Sequence, residues 1–512
     1  MLWIALHLPL LSLESFVATL PPADDARAVA LMDTHHIVAA NAAARALGVK
    51  PGLKRATALA LAPNIVLGQA DAARDKQAIT AVAHAALAFT PSVTLEPVDT
   101  PDAAPHTVLL EVQASLRYFG GRARLLRRLH AALAPLSHTV HCATAPTAQS
   151  AAWLAALPEA PQGRHATDAS LLNRLLDDVP VWLPGPAREH WEALQGMGLR
   201  VLSDLRGLPR SGLARRFGEP LLDAIDRARG TRPDPRTWVG LPESFDSRLE
   251  LFARADTTEQ VLHGASLLLA RLTAWASAQH ALVGRFTLKM QHEPRHRHDA
   301  ATPADTCLEI ALAEPSRDIA HLLVLLRERL ARLQLAAPTL ELRLACDDIV
   351  RRAPPNSELF PTAKSEREGL VRLIERLQAR LGPERVQRLV PVQDHRPECA
   401  TAAVAVEAAA LPRKPAGSPD ASPGGPLRPV WLLPAPEPLP ERQLRPLLDG
   451  QPLQLLCGPE RIESGWWDSA LAERDYFIAQ AGDGALVWIF RARLPMSAAG
   501  QGPGWFLQGR FG

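Results

Sequence analysis

The sequence predicts a multidomain α/β protein that ends in a small β-rich domain. The chain has 512 residues, and at about 150 residues per domain this length suggests three or four domains. Strand-like and helix-like segments alternate over residues 1–165 and again over 245–347, as is typical of packed α/β layers. Five of the 11 tryptophans follow position 430, which indicates that the C-terminal end is built differently.

Composition limits the class of protein. Hydrophobic residues make up 47% and charged residues 21%, which is ordinary for a folded chain. The net charge of +2 excludes a histone-like polycation, but not a local basic patch that binds nucleic acid. The five cysteines lie far apart without a CxxC spacing, which argues against zinc and disulfides and favours the cytoplasm. No Lys or Arg precedes Arg27, and no apolar run reaches about 18 residues, so we expect neither a secretion signal nor a membrane span.

The first predicted domain covers residues 1–165. Its apolar runs and Ala-rich segments alternate, and a basic helix follows the turn at Gly120 and Gly121. The strands are expected at 3–10, 92–98, 107–113 and 138–143, with a further apolar run at 27–39 and helices at 40–48, 72–88 and 146–157.

Residues 166–240 change to short helices broken by Pro and Gly. Within them, an apolar residue, then Gly196 and Gly198 in a Gly-x-Gly, then a helix start, form the pattern of a helix-hairpin-helix over 194–205. The glycines permit close backbone approach, and amides at the following helix N-terminus can bind a DNA phosphate, with Arg200 beside it. The alternative is a helix-turn-helix unit that only packs.

Residues 241–348 repeat the α/β rhythm as a predicted β-α-β-β-α-β unit. The elements are expected at 247–253, 258–278, 281–291, 306–312, 316–333 and 339–346. Arg285 and Lys289 share one strand face because side chains alternate with period two, and Arg295 and Arg297 follow in the exit loop. These cations suit the DNA backbone; the alternative is an ordinary solvated face.

The remaining third is less regular. Residues 349–400 hold a Pro-containing stretch and a helix over 366–381 that ends at Gly382, and 401–427, rich in Ala, Pro, Gly and Ser, is predicted as a flexible linker. Residues 428–512 are expected to form the β-rich domain. Trp466 and Trp467 either form hot spots for a partner or belong to the domain core, and we expect at least one of them to be buried.

By its motifs the chain resembles the Y-family DNA polymerases. Residues 42–52, with Arg45, Gly48 and Gly52, resemble the fingers segment of that family, and residues 109–112 and 142–146 resemble two palm segments. The resemblance implies palm and fingers over 1–165, a thumb over 166–240 and a little finger over 241–348.

The tail narrows the resemblance to one branch of the family. Residues 458–468, 474–477, 116–121 and 394–398 resemble the polymerase-like subunit of a bacterial damage-induced mutagenesis cassette. The implied partners are primer-template DNA, the sliding clamp, an ImuA-type RecA-like protein and an error-prone replicative-type polymerase. The implied location is the cytoplasm, with nucleoid association during DNA damage and the SOS response.

The catalytic carboxylates of that family are replaced. A polymerase holds two metal ions with carboxylates, so that attacking and leaving oxygens are both stabilised. Active members place an Asp-x-Asp where this chain has Ala5 and His7, and an Asp-Glu pair where it has His106 and Thr107. We therefore predict no enzyme activity, no metal and no cofactor.

Some remnants and alternatives stay open. Glu111 matches a family acid outside the catalytic pair, and Arg45 matches a triphosphate-contacting arginine, although the family tyrosine before it is Ala42. Either they retain nucleotide binding or they are left on an inherited scaffold. Asp99 or Asp102 approaches the site only if a loop rearranges.

A clamp-binding peptide is predicted between the little finger and the tail. Asn356, Leu359 and Phe360 resemble the bacterial clamp peptide Gln-x-x-Leu-Phe, with Asn in place of Gln. Two adjacent apolar anchors in an extended segment suit a hydrophobic pocket.

The sequence thus favours a non-catalytic DNA-binding scaffold for translesion synthesis and mutagenesis. The first alternative is an active Y-family polymerase with displaced metal ligands. The second is a hairpin-containing DNA-repair adaptor, which a palm without a four- or five-stranded sheet would favour.

Overall fold

The structure is a computed structural model. It describes residues 1–22, 27–97, 104–157, 164–166, 168–293, 303–351, 363–407, 428–429, 431–468, 470–493 and 504–511. The described chain divides into two compact units, residues 1–380 and 381–512. No helix among the described residues is both long and apolar enough to cross a membrane.

The N-terminal region is built on a four-stranded antiparallel sheet in the order β5-β6-β1-β7. Its strands are β1 (Trp3–His7), β5 (Val93–Leu95), β6 (Thr107–Glu111) and β7 (His141–Ala145). The helices around it are α1 (Leu11–Val17), α4 (Ala72–Leu87), α5 (Leu116–Phe119), α6 (Arg122–Leu133) and α7 (Ala148–Ala155). A first domain without a four- or five-stranded sheet would have favoured an unrelated repair adaptor, and this sheet has four strands.

Alternation along β1 gives the sheet two buried faces. Ile4 and Leu6 pack with α4 and α6, whereas Trp3 and Ala5 pack with α7. The core around Trp3 and Ala5 continues into the helical region that follows, so the α7 face of the sheet and the helical region share one hydrophobic core.

A small sheet in the order β3-β2-β4 stands apart from the first one. It contains β2 (Val29–Asp33), β3 (His36–Ala40) and β4 (Val66–Gln69), with α2 (Ala42–Ala46) and α3 (Arg55–Leu61) between them. The apolar run predicted at 27–39 is therefore a hairpin of two strands. The helix predicted at 40–48 is shorter, because Asn41 caps it and the chain turns at Gly48, where φ is +88°.

Six short helices follow in the region predicted to be helical. They are α8 (Ala169–Asp177), α9 (Gly185–Arg188), α10 (Trp191–Gly196), α11 (Leu202–Arg206), α12 (Arg210–Phe217) and α13 (Glu219–Arg229). Leucines at one face of these helices join the core beneath the first sheet.

The next region has the predicted β-α-β-β-α-β order. Its elements are β8 (Phe245–Ala255), α14 (Thr258–Ala278), β9 (Leu282–His292), β10 (Asp305–Ser316), α15 (Ile319–Leu330) and β11 (Thr339–Val350). The sheet order is β10-β9-β11-β8. One face packs on α14 and α15 and the other is solvated, because apolar and polar residues alternate along each strand. Helix α16 (Ala363–Leu381) ends at Gly382, as predicted.

The second unit is largely β structure. A hairpin of β12 (Gln387–Pro391) and β13 (Thr401–Ala405) precedes a five-stranded sheet in the order β14-β21-β20-β19-β18. The five strands of that sheet are β14 (Trp431–Leu439), β18 (Gln454–Ser464), β19 (Ala472–Gln480), β20 (Leu486–Ala492) and β21 (Trp505–Arg510). A separate three-stranded sheet contains β15 (Glu441–Arg442), β16 (Arg445–Leu448) and β17 (Gln451–Pro452). The linker predicted from residue 401 is wrong at its start, since Thr401–Ala405 pairs with β12; its residues 408–427 lie outside the described chain.

Candidate functional site

The four positions that the resemblance matches to catalytic carboxylates lie on β1, which carries Ala5 and His7, and at the start of β6, where His106 directly precedes Thr107. Antiparallel pairing places His7 of β1 opposite Thr107 of β6 on one side and opposite His141 of β7 on the other. His7 Nδ1 and Thr107 Oγ1 are 3.0 Å apart, and His106 Nδ1 lies 3.3 Å from the carbonyl oxygen of Leu8. Three imidazoles therefore gather around one sheet end, and His141 is one that sequence reasoning missed.

A buried carboxyl group, that of Glu96, lies at the same sheet end. The Thr107 hydroxyl hydrogen-bonds to Glu96, and Gln149 Nε2 donates to Glu96 Oε1 over 3.3 Å. Arg236 then donates to Gln149 Oε1 over 3.2 Å and to Asp234 over 2.6 Å. No sequence motif pointed to Glu96, because it lies before the strand that carries the motif. Asp99 and Asp102, the acids that the sequence suggested near this site, lie outside the described residues.

These groups carry little negative charge. Burial, and then the positive charges of His106 and His141, lower the pKa of His7 from 6.5 to about 4, so its ring is neutral near pH 7. Burial raises the pKa of Glu96, and the hydrogen bonds from Thr107 and Gln149 and the nearby Arg236 oppose that rise. The sheet end thus presents the neutral His7 imidazole, the Thr107 hydroxyl and the Glu96 carboxyl group to a cleft of about 840 Å³.

This donor set does not fit the two-magnesium centre of a polymerase. Magnesium prefers an octahedral shell of oxygen ligands, and a two-metal clamp needs carboxylates bridging both ions. In the part of the chain that the structure describes, no three His, Cys, Asp or Glu side chains are arranged to hold a metal ion. Ala5, fully buried beneath α7, supplies no ligand atom at all.

The two residues that either retain nucleotide binding or are left on an inherited scaffold lie elsewhere. Glu111 pairs with Trp3, four residues along β6 from Thr107, which is about 13 Å at 3.3 Å per residue. Its carboxylate accepts the amide of Gln113 over 3.1 Å. Arg45 is exposed on the short helix α2. The fold does not bring Glu111 to the end of the sheet where His7 lies.

The helix hairpin forms as α10, a turn and α11, but an internal acid already occupies its amides. Gly198 adopts φ of +79° in open space, as the Gly-x-Gly pattern requires. The backbone N–H groups of Arg200 and Val201 donate to Asp204 over 2.8 and 3.1 Å, and these bonds lower the pKa of Asp204. A phosphate would have to compete with that carboxylate for these amides. Gly196 and the Arg200 side chain are exposed.

The solvated face of the β10-β9-β11-β8 sheet carries a row of cations. Arg343 of β11 pairs with Lys289 of β9 on one side and with Arg248 of β8 on the other. At about 4.8 Å between strands, these three cations, named here the cation row, span about 10 Å. Arg248 and Arg343 were missed, because only the strand pairing places them beside Lys289.

Carboxylates flank the cation row on both sides. Lys289 Nζ lies 2.6 Å from Asp305, and Arg343 pairs with Asp246. Arg285, on the same face as Lys289, lies 3.3 Å from Glu309 and 3.6 Å from Asp348. The predicted shared face is therefore present, but its cations already have acidic partners. Arg295 and Arg297 lie outside the described residues.

The two adjacent tryptophans of the tail are both solvent-exposed. Trp466 is 79% and Trp467 54% exposed, so the prediction that at least one is buried is wrong. Instead, Trp488 and Trp505 fill the core of the five-stranded sheet. The indole rings of Trp466 and Trp467 meet edge to face, with centroids 5.4 Å apart.

A buried arginine holds the turn that carries these two tryptophans. Arg396 donates to Asp394 over 2.7 Å, to Asp468, and to the carbonyl oxygen of Ala470 over 3.0 Å. Its guanidinium also lies over the Trp467 ring, 5.6 Å from the centroid. The segment 394–398 thus fixes the segment 465–470, which explains why both occur in one tail motif. The predicted clamp residues Asn356, Leu359 and Phe360 lie outside the described residues.

Comparisons with known proteins find sequence relatives of this chain. Residues 13–156 match the model of the impB/mucB/samB family. The chain is also similar to protein ImuB of Caulobacter vibrioides, with 28% identity over 493 residues, which cover 91% of this chain and all of that protein. The resemblance predicted from the tail, to the polymerase-like subunit of a mutagenesis cassette, is thereby confirmed as a resemblance to ImuB.

Solved structures of DNA polymerases also match part of this chain. An insertion ternary complex of Dbh DNA polymerase is 16% identical, covering 69% of this chain and all of that one, with a TM-score of 0.37. DinB from Sulfolobus solfataricus is 17% identical with the same coverage and the same TM-score.

The neutral state of His7 gives a pH prediction. Between pH 6.5 and about 4 the unfolded chain binds a proton on this ring that the folded chain does not, so acidification through that interval destabilises the fold. We expect histidine-labelled NMR to show a ring titrating near pH 4 that disappears in His7→Gln. In the control His84→Gln, whose buried ring also has a pKa of about 4, the His7 signal should remain. Titration of His7 at 6.5 or above would contradict a neutral imidazole at this position.

The cation row gives a second prediction, with two opposite signs. If the cation row binds a DNA backbone, Arg343→Gln should weaken that binding and reduce the slope of log affinity against log salt by about 1, because one phosphate contact is lost. Asp305→Asn should strengthen binding, because Lys289 loses its acidic partner. Fluorescence anisotropy with a primer-template at several salt concentrations measures both effects. Arg327→Gln, on α15 behind the sheet, is the matched control, and equal effects from all three variants would argue against the row.

Proposed function

We propose that this protein is a non-catalytic, polymerase-like DNA-binding scaffold for translesion synthesis and damage-induced mutagenesis. The observation that carries the proposal is the sheet end at His7 and Thr107, where these two positions supply a neutral imidazole and a hydroxyl in place of the carboxylates that the resemblance implies for active members. The similarity to ImuB over nearly the whole chain supports the mutagenesis role. In this proposal nucleotide transfer belongs to a partner polymerase.

DNA binding is proposed for two surfaces. The cation row with Arg285 suits a phosphate backbone, and the hairpin around Gly196 and Gly198 offers a second contact beside Arg200. Because carboxylates flank both surfaces, each DNA phosphate must displace an internal acid. Binding should therefore be moderate in affinity, tolerant of sequence and strongly salt-dependent.

Three protein partners are proposed from the resemblance to the ImuB branch. The segment with Asn356, Leu359 and Phe360 would bind the sliding clamp. The exposed Trp466 and Trp467 would bind the ImuA-type protein or the error-prone replicative-type polymerase. Large aromatic side chains that stand in solvent, on a turn held by a buried ion pair, are typical of interface hot spots.

One observation favours the alternative, an active polymerase with displaced ligands. Glu96 places a buried carboxyl beside Thr107, at the sheet end where active members hold carboxylates. A single acid with a raised pKa is a poor metal ligand, and it lies far from Glu111 along the sheet, so the scaffold remains the better reading of the site.

Primer extension beside DNA binding tests the proposal. We expect the purified protein, with Mg²⁺ or Mn²⁺, to bind a primer-template at low salt, to lose affinity at higher salt and to add no nucleotide. Any trace of extension should persist unchanged in Glu96→Gln and Glu111→Ala, which would mark it as contamination. Extension that falls in either variant would show that displaced acids support catalysis and would overturn the scaffold.

The exposed tryptophans give a partner-binding prediction. Trp466→Ala should lower capture of the ImuA-type protein or the replicative-type polymerase by tenfold or more, since hot-spot truncations cost about 2 kcal/mol or more. Trp431→Ala is the matched control, because Trp431 is an equally exposed tryptophan on β14 of the same unit. Equal loss from both variants would argue against a specific site. The same pull-down with the sliding clamp checks Leu359→Ala and Phe360→Ala.

A further inference from the structure

A buried arginine without an acidic partner lies where the β10-β9-β11-β8 domain packs on the first domain. Arg271 of α14 is 3% exposed. Its Nη1 donates to Gln77 Oε1 and to Ser247 Oγ, both over 3.2 Å, and both acceptors are neutral. Among the described residues no carboxylate offsets its charge, and burial alone lowers its pKa to about 10, so the guanidinium stays protonated. A buried charge without a counter-ion is costly.

Arg271 lines a cavity of about 310 Å³ between α1, α4 and β8. Two more arginines, Arg74 and Arg248, line the same cavity. Arg74 Nη2 donates to the carbonyl oxygen of Gln69 over 3.0 Å, and its guanidinium lies over the Phe16 ring. Arg74 Nε is buried and has no hydrogen-bond partner. The cavity therefore holds three guanidinium groups and at least one unused donor.

Two carboxylates also line the cavity, and neither neutralises Arg271. Asp71 caps α4, where it accepts the amides of Ala73 and Arg74 over 2.9 and 3.2 Å. Glu250 is exposed at the rim. A third carboxylate, the buried Asp75, lies beside Arg74 on α4, where it accepts the hydroxyls of Ser12 and Ser15 and offsets the charge of Arg74. The cation of the cavity that keeps no acidic partner is therefore Arg271. Guanidinium groups suit phosphate because their planar forks donate two parallel hydrogen bonds.

We propose that the cavity formed by Arg74, Arg248 and Arg271 is a binding site for a phosphate group. Phosphate would supply the counter-charge that Arg271 lacks, accept hydrogen bonds from the guanidinium groups that line the cavity, and tie α4 of the first domain to β8 and α14 of the next. The cavity's volume suits a phosphate monoester, either free or at the 5′ end of a nucleic-acid strand.

The cation row leads to this cavity. A groove that contains Arg343 and Arg248 shares Gln77 and Arg248 with the cavity, so the row and the site are continuous. A strand lying along Lys289, Arg343 and Arg248 would therefore deliver its terminal phosphate to Arg271. This strand-end source of the phosphate rests on the DNA-binding role proposed above, whereas the site itself does not.

Binding of inorganic phosphate to the full-length protein tests the site without DNA. We expect calorimetry at constant ionic strength to show phosphate binding, and hydrogen exchange to show protection of residues 72–87 and 245–255. Arg74→Gln should weaken binding about tenfold or more, because a charge-assisted hydrogen bond is lost. Glu250→Gln should strengthen it, because an opposing charge is removed. Arg254→Gln, on β8 outside the cavity, is the control and should leave phosphate binding unchanged.

The effect of Arg271 itself needs a variant that keeps its packing. Arg271→Met fills most of the same volume without charge and should fold, since replacing a buried charge by an apolar residue of similar size is often tolerated. We expect it to lose phosphate binding. Wild-type protein that does not bind phosphate, or that binds it as tightly as Arg74→Gln and Arg271→Met do, would overturn the site.

Oligonucleotides with and without a 5′ phosphate then separate the two sources. If the strand end is the source, the phosphorylated strand should bind several-fold more tightly in wild type and equally in Arg74→Gln. Equal binding of both strands, with inorganic phosphate still bound, would leave a free phosphate compound as the ligand. Phosphate binding without any DNA binding would support the site and contradict the proposed function. DNA binding that is unchanged in Arg74→Gln and Arg271→Met would support the proposed function and contradict the site.

Discussion

The antiparallel register of β1 between β6 and β7 decides what this protein can do. It sets His7 against Thr107 and His141, and it sends Glu111 to the far end of the sheet. A shift of one residue would turn every side chain of β1 to the opposite face, where α4 and α6 form the core. Because both faces are buried, the register is firmly specified, and it fixes which side chains meet at this sheet end.

Internal acids recur wherever the chain offers groups that suit phosphate. Asp204 takes the hairpin amides, and Asp305 and Glu309 take the cations of the exposed sheet. This pairing explains how a chain with a net charge of only +2 carries several basic surfaces. A nucleic acid bound at these surfaces would have to compete with carboxylates that are already in place, which would make the free energy of binding small and salt-dependent. Arg271 differs from these paired cations, because it is buried and no carboxylate among the described residues pairs with it.

The second unit separates two uses of tryptophan. Trp488 and Trp505 fill the core of a small sheet together with Tyr476, Phe490 and Phe506, because a unit of this size needs bulky side chains to build a core. Trp466 and Trp467 are exposed to solvent on a turn that the buried Arg396 fixes through its ion pair with Asp468. An exposed aromatic pair on a fixed turn loses little conformational entropy on binding, which is the property of a preformed interface.

The sequence by itself determined the order of the elements in the two α/β regions and placed Ala5 and His7, neither of them a carboxylate, on the first strand. These features depend on local periodicity and on residue identity, which are readable in one dimension. Tertiary structure alone decided that Glu96 and His141 join His7, that Arg248 and Arg343 flank each other, and that Arg271 is buried without an acid. Those neighbours come from strand pairing and domain packing between residues up to about two hundred positions apart, such as Gln77 and Arg271, and no local pattern encodes such a contact.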